Sequence, residues 1–388
     1  MAWNALGGVR IWDASALLPG PFTTQIFADL GADVVKMEAP GGDPSRDMLM
    51  AIFPMANRNK RSIAVDLKSS GADAVVTALA DWADVFVEGF RPGVTERLGI
   101  GYEALSKINP RIIYCSLSGY GQTGPSREVP GHDLNYLAAS GAMALRGRWL
   151  DESPNRSGLP VADLAGASFA AISILAALRD RDRTGKGCYI DVSLTDASIA
   201  FTAIRQGLDI DEPEREHLFP TNDLFTAADG RKIALGMVEE HFWQNFRRLL
   251  AEEEPKLMDP RFHTEPGRRE HGDEVARLIA SVITRRSSAE WVALLSQHDI
   301  PAQLALTPRE AAQSEQVRHR GIVRLLDGVS HVPFPVLVNG EPAGALLFSA
   351  PTIGANTSAI LRERGFKDAE IERLYDAGVL TGHIANKA

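Results

Sequence analysis

The sequence has only two cysteines in 388 residues, Cys115 and Cys188, each inside an apolar stretch. Two isolated thiols form neither a disulfide framework nor a zinc pattern, and both read as small buried side chains. His241, His298 and His319 show no metal-ligand spacing, so no metal is assigned. No G-x-G-x-x-G follows the first strand, which removes the main support for a nicotinamide dinucleotide site. The chain does not open on a basic segment followed by an apolar core, and no apolar run approaches the roughly 20 residues of a membrane span. Positive charge is not in excess either. A net charge of −9 argues against wholesale nucleic-acid binding. The expectation is a cytoplasmic protein with no membrane and no nucleic-acid partner. Internal repeats and low-complexity tracts are also missing.

What is present belongs to a globular chain: 45% hydrophobic and 23% charged residues, at a length beyond one ordinary domain. The opening reads strand 9–13, helix 22–30, strand 32–37. Phe22, Ile26, Phe27 and Leu30 share one helix face and Gly31 stops the helix. That is a βαβ unit and implies a parallel pair. Strands at 63–67, 85–87, 112–117 and 189–194 then alternate with helices at 71–82, 98–108, 133–143 and from Asp163 onward. The pattern predicts an α/β fold with a doubly wound parallel sheet. Residues 206–221 are charged and irregular and read as a linker. A smaller domain follows over 222–333, with a hairpin over 224–237 turning at Asp229-Gly230 and amphipathic helices at 241–251, 270–283 and 288–298. A second hairpin is expected from 336–338 and 345–348, opened by Asn339-Gly340, and terminal helices at 358–364 and 368–377.

The chemistry gathers between Val129 and Leu178. His132 and Asp163 each stand at or just before a predicted helix start. Backbone N–H groups there lack partners and carry partial positive charge, so they favour an anion. Two such starts facing each other make an oxyanion pocket flanked by an acid and a base. The N–H groups of Leu164 and Ala165, or those near Tyr136, are the candidate donors. The tract Asn57-Arg58-Asn59-Lys60-Arg61-Ser62 reads as a basic loop suited to phosphate, since Arg offers a fork and Lys a point charge. Glu88-Gly89-Phe90-Arg91-Pro92-Gly93 follows a strand, as a ligand loop does at the carboxyl edge of a parallel sheet. Ser118-Gly119-Tyr120-Gly121-Gln122-Thr123-Gly124 is a glycine-rich loop.

These tracts, with Pro19-Gly20-Pro21-Phe22 and Ala28-Asp29-Leu30-Gly31-Ala32-Asp33-Val34-Val35-Lys36-Met37-Glu38, occur in an order that resembles the family III CoA-transferase superfamily along nearly the whole chain. The resemblance implies a Rossmann-like large domain from both chain ends (1–205 and 334–388), a small middle domain and an interlocked homodimer. It implies an acyl-CoA thioester as ligand, with coenzyme A as part of the substrate and no permanently bound cofactor. Lys36, Asn57, Arg58, Lys60, Arg61, Arg91, Gly119, Tyr120 and Tyr136 would meet the CoA moiety. Asp163 stands where the transferases have their nucleophile. The racemases pair that aspartate with the histidine of Gly-His-Asp, matched by Gly131-His132-Asp133, and with a glutamate matched by Glu239, its neighbour Glu240 being the one-residue alternative. No run of glycines like that of many transferases occurs.

Together these features favour an α-methylacyl-CoA racemase or epimerase. The alternative is a CoA transferase that carries CoA as an aspartyl thioester on Asp163. The Asn57–Lys60 tract looks closer to the transferases. A non-catalytic acyl-CoA-binding subunit is a third reading, against which Asp163 stands.

Overall fold

The computed structural model describes residues 3–48, 51–150, 156–209, 215 and 217–382. The elements run β1 (Arg10–Asp13), α1 (Pro19–Asp29), β2 (Asp33–Glu38), α2 (Ile52–Asn57), β3 (Lys60–Val65), α3 (Ala72–Trp82), β4 (Val85–Glu88), α4 (Val94–Arg97), α5 (Tyr102–Ile108), β5 (Ile113–Ser118), α6 (Asp133–Ala139), α7 (Val161–Thr184), β6 (Cys188–Ser193) and α8 (Leu194–Gln206). After them come β7 (Leu224–Thr226), β8 (Lys232–Leu235), α9 (Glu240–Leu250), α10 (Glu265–Glu270), α11 (Gly272–Ile283), α12 (Ser288–Gln297), β9 (Ala302–Leu304) and α13 (Pro308–Ala312). The return consists of α14 (Glu315–Arg320), β10 (Arg324–Leu326), β11 (Val329–His331), β12 (Leu337–Val338), β13 (Glu341–Pro342), α15 (Thr357–Glu363), α16 (Asp368–Asp376) and β14 (Leu380–Thr381).

The chain divides into two units. The first holds residues 1–140, 158–200 and 314–388; the second holds 141–157 and 201–313. The second unit begins at residue 201, ahead of the linker expected at 206–221, of which residues 210–214 and 216 lie outside the described residues. Residues 141–157, expected in the large domain, also differ. That segment joins the second unit because Trp149 packs against Leu218 and Ala276, while Arg148 pairs with Asp223 at 2.7 Å. Gly272 makes room for the indole, since a Cβ there would lie 1.9 Å from it.

The first unit is built on a sheet of order β14-β3-β2-β1-β4-β5-β6, parallel except for β14. Strands β2, β4 and β5 are buried on both faces, as a covered parallel sheet requires. Alternate side chains go to opposite layers. Ile11, Val34, Val85, Ile113 and Cys115 pack with Phe27 of α1 and Ala170 and Ile174 of α7. Trp12, Val35, Phe86 and Tyr114 pack with α3, α5, α15 and α16 through Leu79, Leu105, Leu361 and Ile371. The order reverses between β1 and β4, so the loops after those strands flank the switch point where such sheets open a crevice. Helix α7 is long and apolar enough, by length and composition, to cross a membrane (mean hydropathy 1.9), contrary to the expectation of no such run. It packs against α1, β5 and β6.

The second unit pairs β7, β8 and β9 antiparallel over a core of Trp243, Phe246, Ile279 and Trp291. The predicted turn at Asp229-Gly230 is present between β7 and β8. The later hairpin also turns at Asn339-Gly340, both with positive φ (52° and 84°), but its second strand is β13 rather than 345–348. The helix expected over 98–108 begins only at Tyr102, as α5, and the short α4 ends before it at Arg97.

The basic tract differs most from expectation. Asn57 ends α2 and Lys60 begins β3, so it is not a loop. Lys60 is 0% exposed, and its ammonium donates to Asp13 Oδ2, the Pro21 carbonyl and Asn57 Oδ1, each at 2.9 Å. Lys36, also 0% exposed, meets Asp43 and the Ser15 carbonyl at 2.9 Å. Burial works against the Asp13 carboxylate, but Lys60, Lys36 and the hydroxyls of Ser15 and Thr24 outweigh it and hold the group well below its ordinary range. Arg58 forks onto Asp29 at 2.5 and 3.1 Å and donates to the Val332 carbonyl; Asn59 bonds Asp29 and the Ala345 carbonyl. These residues bind the two chain ends together. Lys36, Asn57, Arg58 and Lys60 are thus buried and committed to protein partners instead of facing a ligand. Only Arg61 is partly exposed, between Asp33 and Glu363 at 2.7 and 2.8 Å.

Breaking one partner of a buried pair strands the other charge, at a cost of about 3–5 kcal/mol. Asp13→Asn and Lys60→Met should each lose about that much in urea unfolding, and the double variant clearly less than the sum. An additive cycle would show that the two groups do not depend on one another.

Candidate active site

Asp163 is the third residue of α7, not its cap, which is Pro160. The helix start is instead met by Asp133. Its Oδ1 accepts from the backbone N–H of Ala162 at 2.7 Å and of Asp163 at 3.3 Å. A carboxylate there satisfies orphan donors and complements the helix dipole. The same contact brings α6 to the start of α7, and with it His132, the residue preceding Asp133 and the cap position of α6. His132 is exposed; Asp163 is half-buried. Burial, and then the neighbouring Asp133 charge, push the Asp163 carboxyl up to about 7. Sequence reasoning quoted Asp133 without giving it a role. An acid in a first helical turn was the only local signal, and its target lies far along the chain.

The oxyanion donors expected at Leu164 and Ala165 are committed. Leu164 N–H donates to the Pro160 carbonyl at 3.0 Å, and Ala165, fifth in α7, belongs to the helical ladder. At the start of α6, the N–H groups of Asp133 and Leu134 take no acceptor among the described residues, while His132 N–H donates to Asn135 Oδ1 at 3.0 Å.

Tyr136 closes the other side. Its ring fills a slot left by two glycines: a Cβ at Gly119 would lie 2.2 Å from it, and one at Gly131 2.6 Å. Its hydroxyl donates to the Gly131 carbonyl at 2.5 Å, fixing the turn before His132. Tyr120 meets it edge-on, 5.3 Å between centroids at 84°. Burial and then the Asp163 charge push the phenol up to about 12, with Arg91 near enough to oppose them. So His132, Asp163, Tyr136, Tyr120, Gly119 and the exposed Arg91 share one region of the first unit, beside the switch point. Lys36, Asn57, Arg58, Lys60 and Arg61 lie in the frame described above.

Glu239 belongs to the second unit, as the cap residue of α9 without a side-chain bond to the helix. It has no side-chain partner among the described residues. Glu240 is committed: Arg268 forks onto it at 2.7 and 3.1 Å, and Gln244 donates at 2.8 Å. Of the two glutamates, Glu239 is the one open to other work.

The Asp163 proton has a consequence for stability. The carboxyl ionises near 3.8 in the unfolded chain and near 7 in the fold. The unfolded state therefore releases the proton first, and stability falls as pH rises across that window, then levels. Asp163→Asn should remove this slope. Its advantage over the wild type in urea unfolding should grow between pH 4.5 and 7.5 to about 2 kcal/mol, discounted for partial exposure. A pH-independent difference would contradict the elevated carboxyl.

The profile of CoA-transferase family III matches residues 6–357. An acyl-CoA transferase of Fusarium pseudograminearum is 32% identical over 97% of this chain and 88% of its own. The alpha-methylacyl-CoA racemase of Homo sapiens is 34% identical over 95% of this chain and 96% of its own. The crystal structure of a CAIB/BAIF family protein from Brucella suis superposes with a TM-score of 0.82 at 28% identity, covering 92% of this chain and 99% of that one. The chain belongs to CoA-transferase family III.

Proposed function

We propose that this enzyme moves the proton beside the carbonyl of an acyl-CoA thioester, as an α-methylacyl-CoA racemase or epimerase does. Coenzyme A enters as part of the substrate. The observation that carries this reading is the Asp163 carboxyl, half-buried beside Asp133 and poised at about 7. A proton near a thioester is weakly acidic. Its removal needs a base whose pKa lies near the working pH, and its return needs an acid on the opposite face. Asp163 and His132 fill those roles. One takes the proton to give an enolate and the other returns one. The resemblance to the racemases assigns Glu239 as the carboxylate that favours the charged form of the imidazole. The enolate oxygen goes to the N–H groups that begin α6. Arg91 meets the CoA phosphates, with Arg61, already paired with Asp33 and Glu363, as the second candidate, and Gly119, Tyr120 and Tyr136 wall the thioester. The exposed Ile172 and Leu175 on α7 (61% and 40%) fit a second copy lying over that helix, in a cytoplasmic homodimer.

The second reading is CoA transfer. Its support is the resemblance to an acyl-CoA transferase at nearly the same identity as to a racemase. There Asp163 attacks the acyl carbonyl and the thiolate leaves; the thiolate then attacks the aspartyl carbonyl of the resulting anhydride, releasing the donor carboxylate and leaving an aspartyl-CoA thioester. A nucleophile gains from full ionisation, which burial and Asp133 oppose.

The test is incubation with a 2-methylacyl-CoA in heavy water, without an acceptor acid. The proposal expects deuterium at the α-carbon and none with Asp163→Asn. Absence of exchange, with an Asp163 adduct trapped by borohydride or hydroxylamine, would replace it with transfer. Within the exchange reaction, Glu239→Gln should lower the rate by about 10-fold or more. Glu240→Gln should leave the rate within about 2-fold and lower stability by about 1 kcal/mol, since its ion pair is half-exposed. Equal loss in both variants would reject the assignment of Glu239.

A further inference from the structure

Thr195, in the first turn of α8, is 8% exposed. Its backbone N–H and its hydroxyl both donate to one acceptor, the Gly119 carbonyl, at 3.0 and 2.8 Å. A carbonyl has two lone pairs, so the two bonds fix the direction of the Gly119–Tyr120 peptide. On the other side Gly119 lies so close to the Tyr136 ring that no side chain fits between them. The peptide is therefore held from both sides, and the next residue, Tyr120, is set edge-on against Tyr136. Further along the loop, Gln122 N–H donates to the Asp191 carboxylate at 3.0 and 3.2 Å, and its amide to Ser116 Oγ at 2.6 Å. Those partners sit on β5 and β6, whereas Asp191 is exposed and its bond is open to competition from water. Ser116 is buried too but holds only the Gln122 side chain, whereas the buried Thr195 holds the Gly119 carbonyl next to Tyr120.

From this geometry we infer that Thr195 is a positioning residue for the reaction: by pinning the glycine loop it keeps the Tyr120–Tyr136 wall closed over Asp163. It does not touch the reacting carbon. The inference rests on the proton-transfer reading of Asp163 and adds to it the residue that keeps water from that carboxyl. Burial is the largest cause of the elevated Asp163 carboxyl, so loosening the wall admits water to the group that must hold a proton.

Thr195→Val keeps the size and the backbone donor and removes the hydroxyl donor; Thr195→Ser restores it. In Thr195→Val, kcat for α-proton exchange should fall about 5-fold or more, KM should stay within about 2-fold, and the acidic limb of the pH–rate profile should move to lower pH. Thr195→Ser should return kcat to within about 2-fold of the wild type. Labelling of Asp163 by a water-soluble carbodiimide, read by mass spectrometry at pH 6, should rise several-fold in the valine variant and not in the serine one. That readout needs no turnover, so it decides the inference even if the wild-type enzyme exchanges no proton and the reading of the reaction itself fails. A folded valine variant with wild-type labelling, kcat and pH limb would overturn it, as would a serine variant that behaves like the valine one.

Discussion

One contact organises the site: the Asp133 carboxylate on the first N–H groups of α7. It does three things at once. It caps a long helix whose own first turn offers no side chain to do so. It draws the start of α6 to the start of α7, and so brings the histidine preceding it toward the aspartate that follows. It sets a like charge beside Asp163, in a half-buried position, where a second ionised carboxylate is costly. The donors that would otherwise stabilise an anion at α7 are taken up by Asp133, which leaves Asp163 poorly stabilised as an anion. A carboxyl in that position holds its proton longer, and that is the property an acid–base catalyst needs.

Beneath this site lies a frame made of buried charge. The side chains of Asp13, Lys36, Asp43 and Lys60 meet beside the carboxyl end of β1, where the loop after it must leave the sheet, and Lys60 reaches there from the amino end of β3. Leu17 in that loop has a positive φ of 65°, unusual for a branched side chain, and its N–H is held by Asp43 at 3.1 Å. Burying four charges is expensive unless each is fully bonded, and here the ammonium groups also reach the carbonyls of Ser15 and Pro21. The result is a rigid edge next to the crevice. Asp29, Arg58 and Asn59 do the same for the returning chain end, so the sheet and its C-terminal cover are held as one body.

How far the sequence disclosed this depends on how local the cause is. The Val- and Ile-rich strands and the glycine stop of α1 are legible, because period and turn chemistry act within a few residues. The strands β9, β10, β11 and β14 are not. They are two or three residues long and exist only through partners elsewhere. The Asn57–Ser62 tract looked like a phosphate loop because its counter-ions, Asp13 and Asp29, are remote in sequence. His132, Asp163 and Glu239 were picked out by motif, whereas the roles of Asp133 and Thr195 depend on which carbonyl or N–H the fold places beside them. No spacing in the chain announces that. A helix start at Leu98 is likewise four residues early, although Gly99 and Gly101 stand before α5.

Everything proposed for the chemistry rests on Asp163 holding a proton near neutral pH. Titration of the aspartate carboxyl carbons by 13C NMR, wild type minus Asp163→Asn, reads that directly. The account predicts a resonance with its midpoint at about 7. A midpoint near the ordinary 3.8 would contradict it and leave Asp163 an ionised carboxylate, suited to nucleophilic attack rather than to proton transfer.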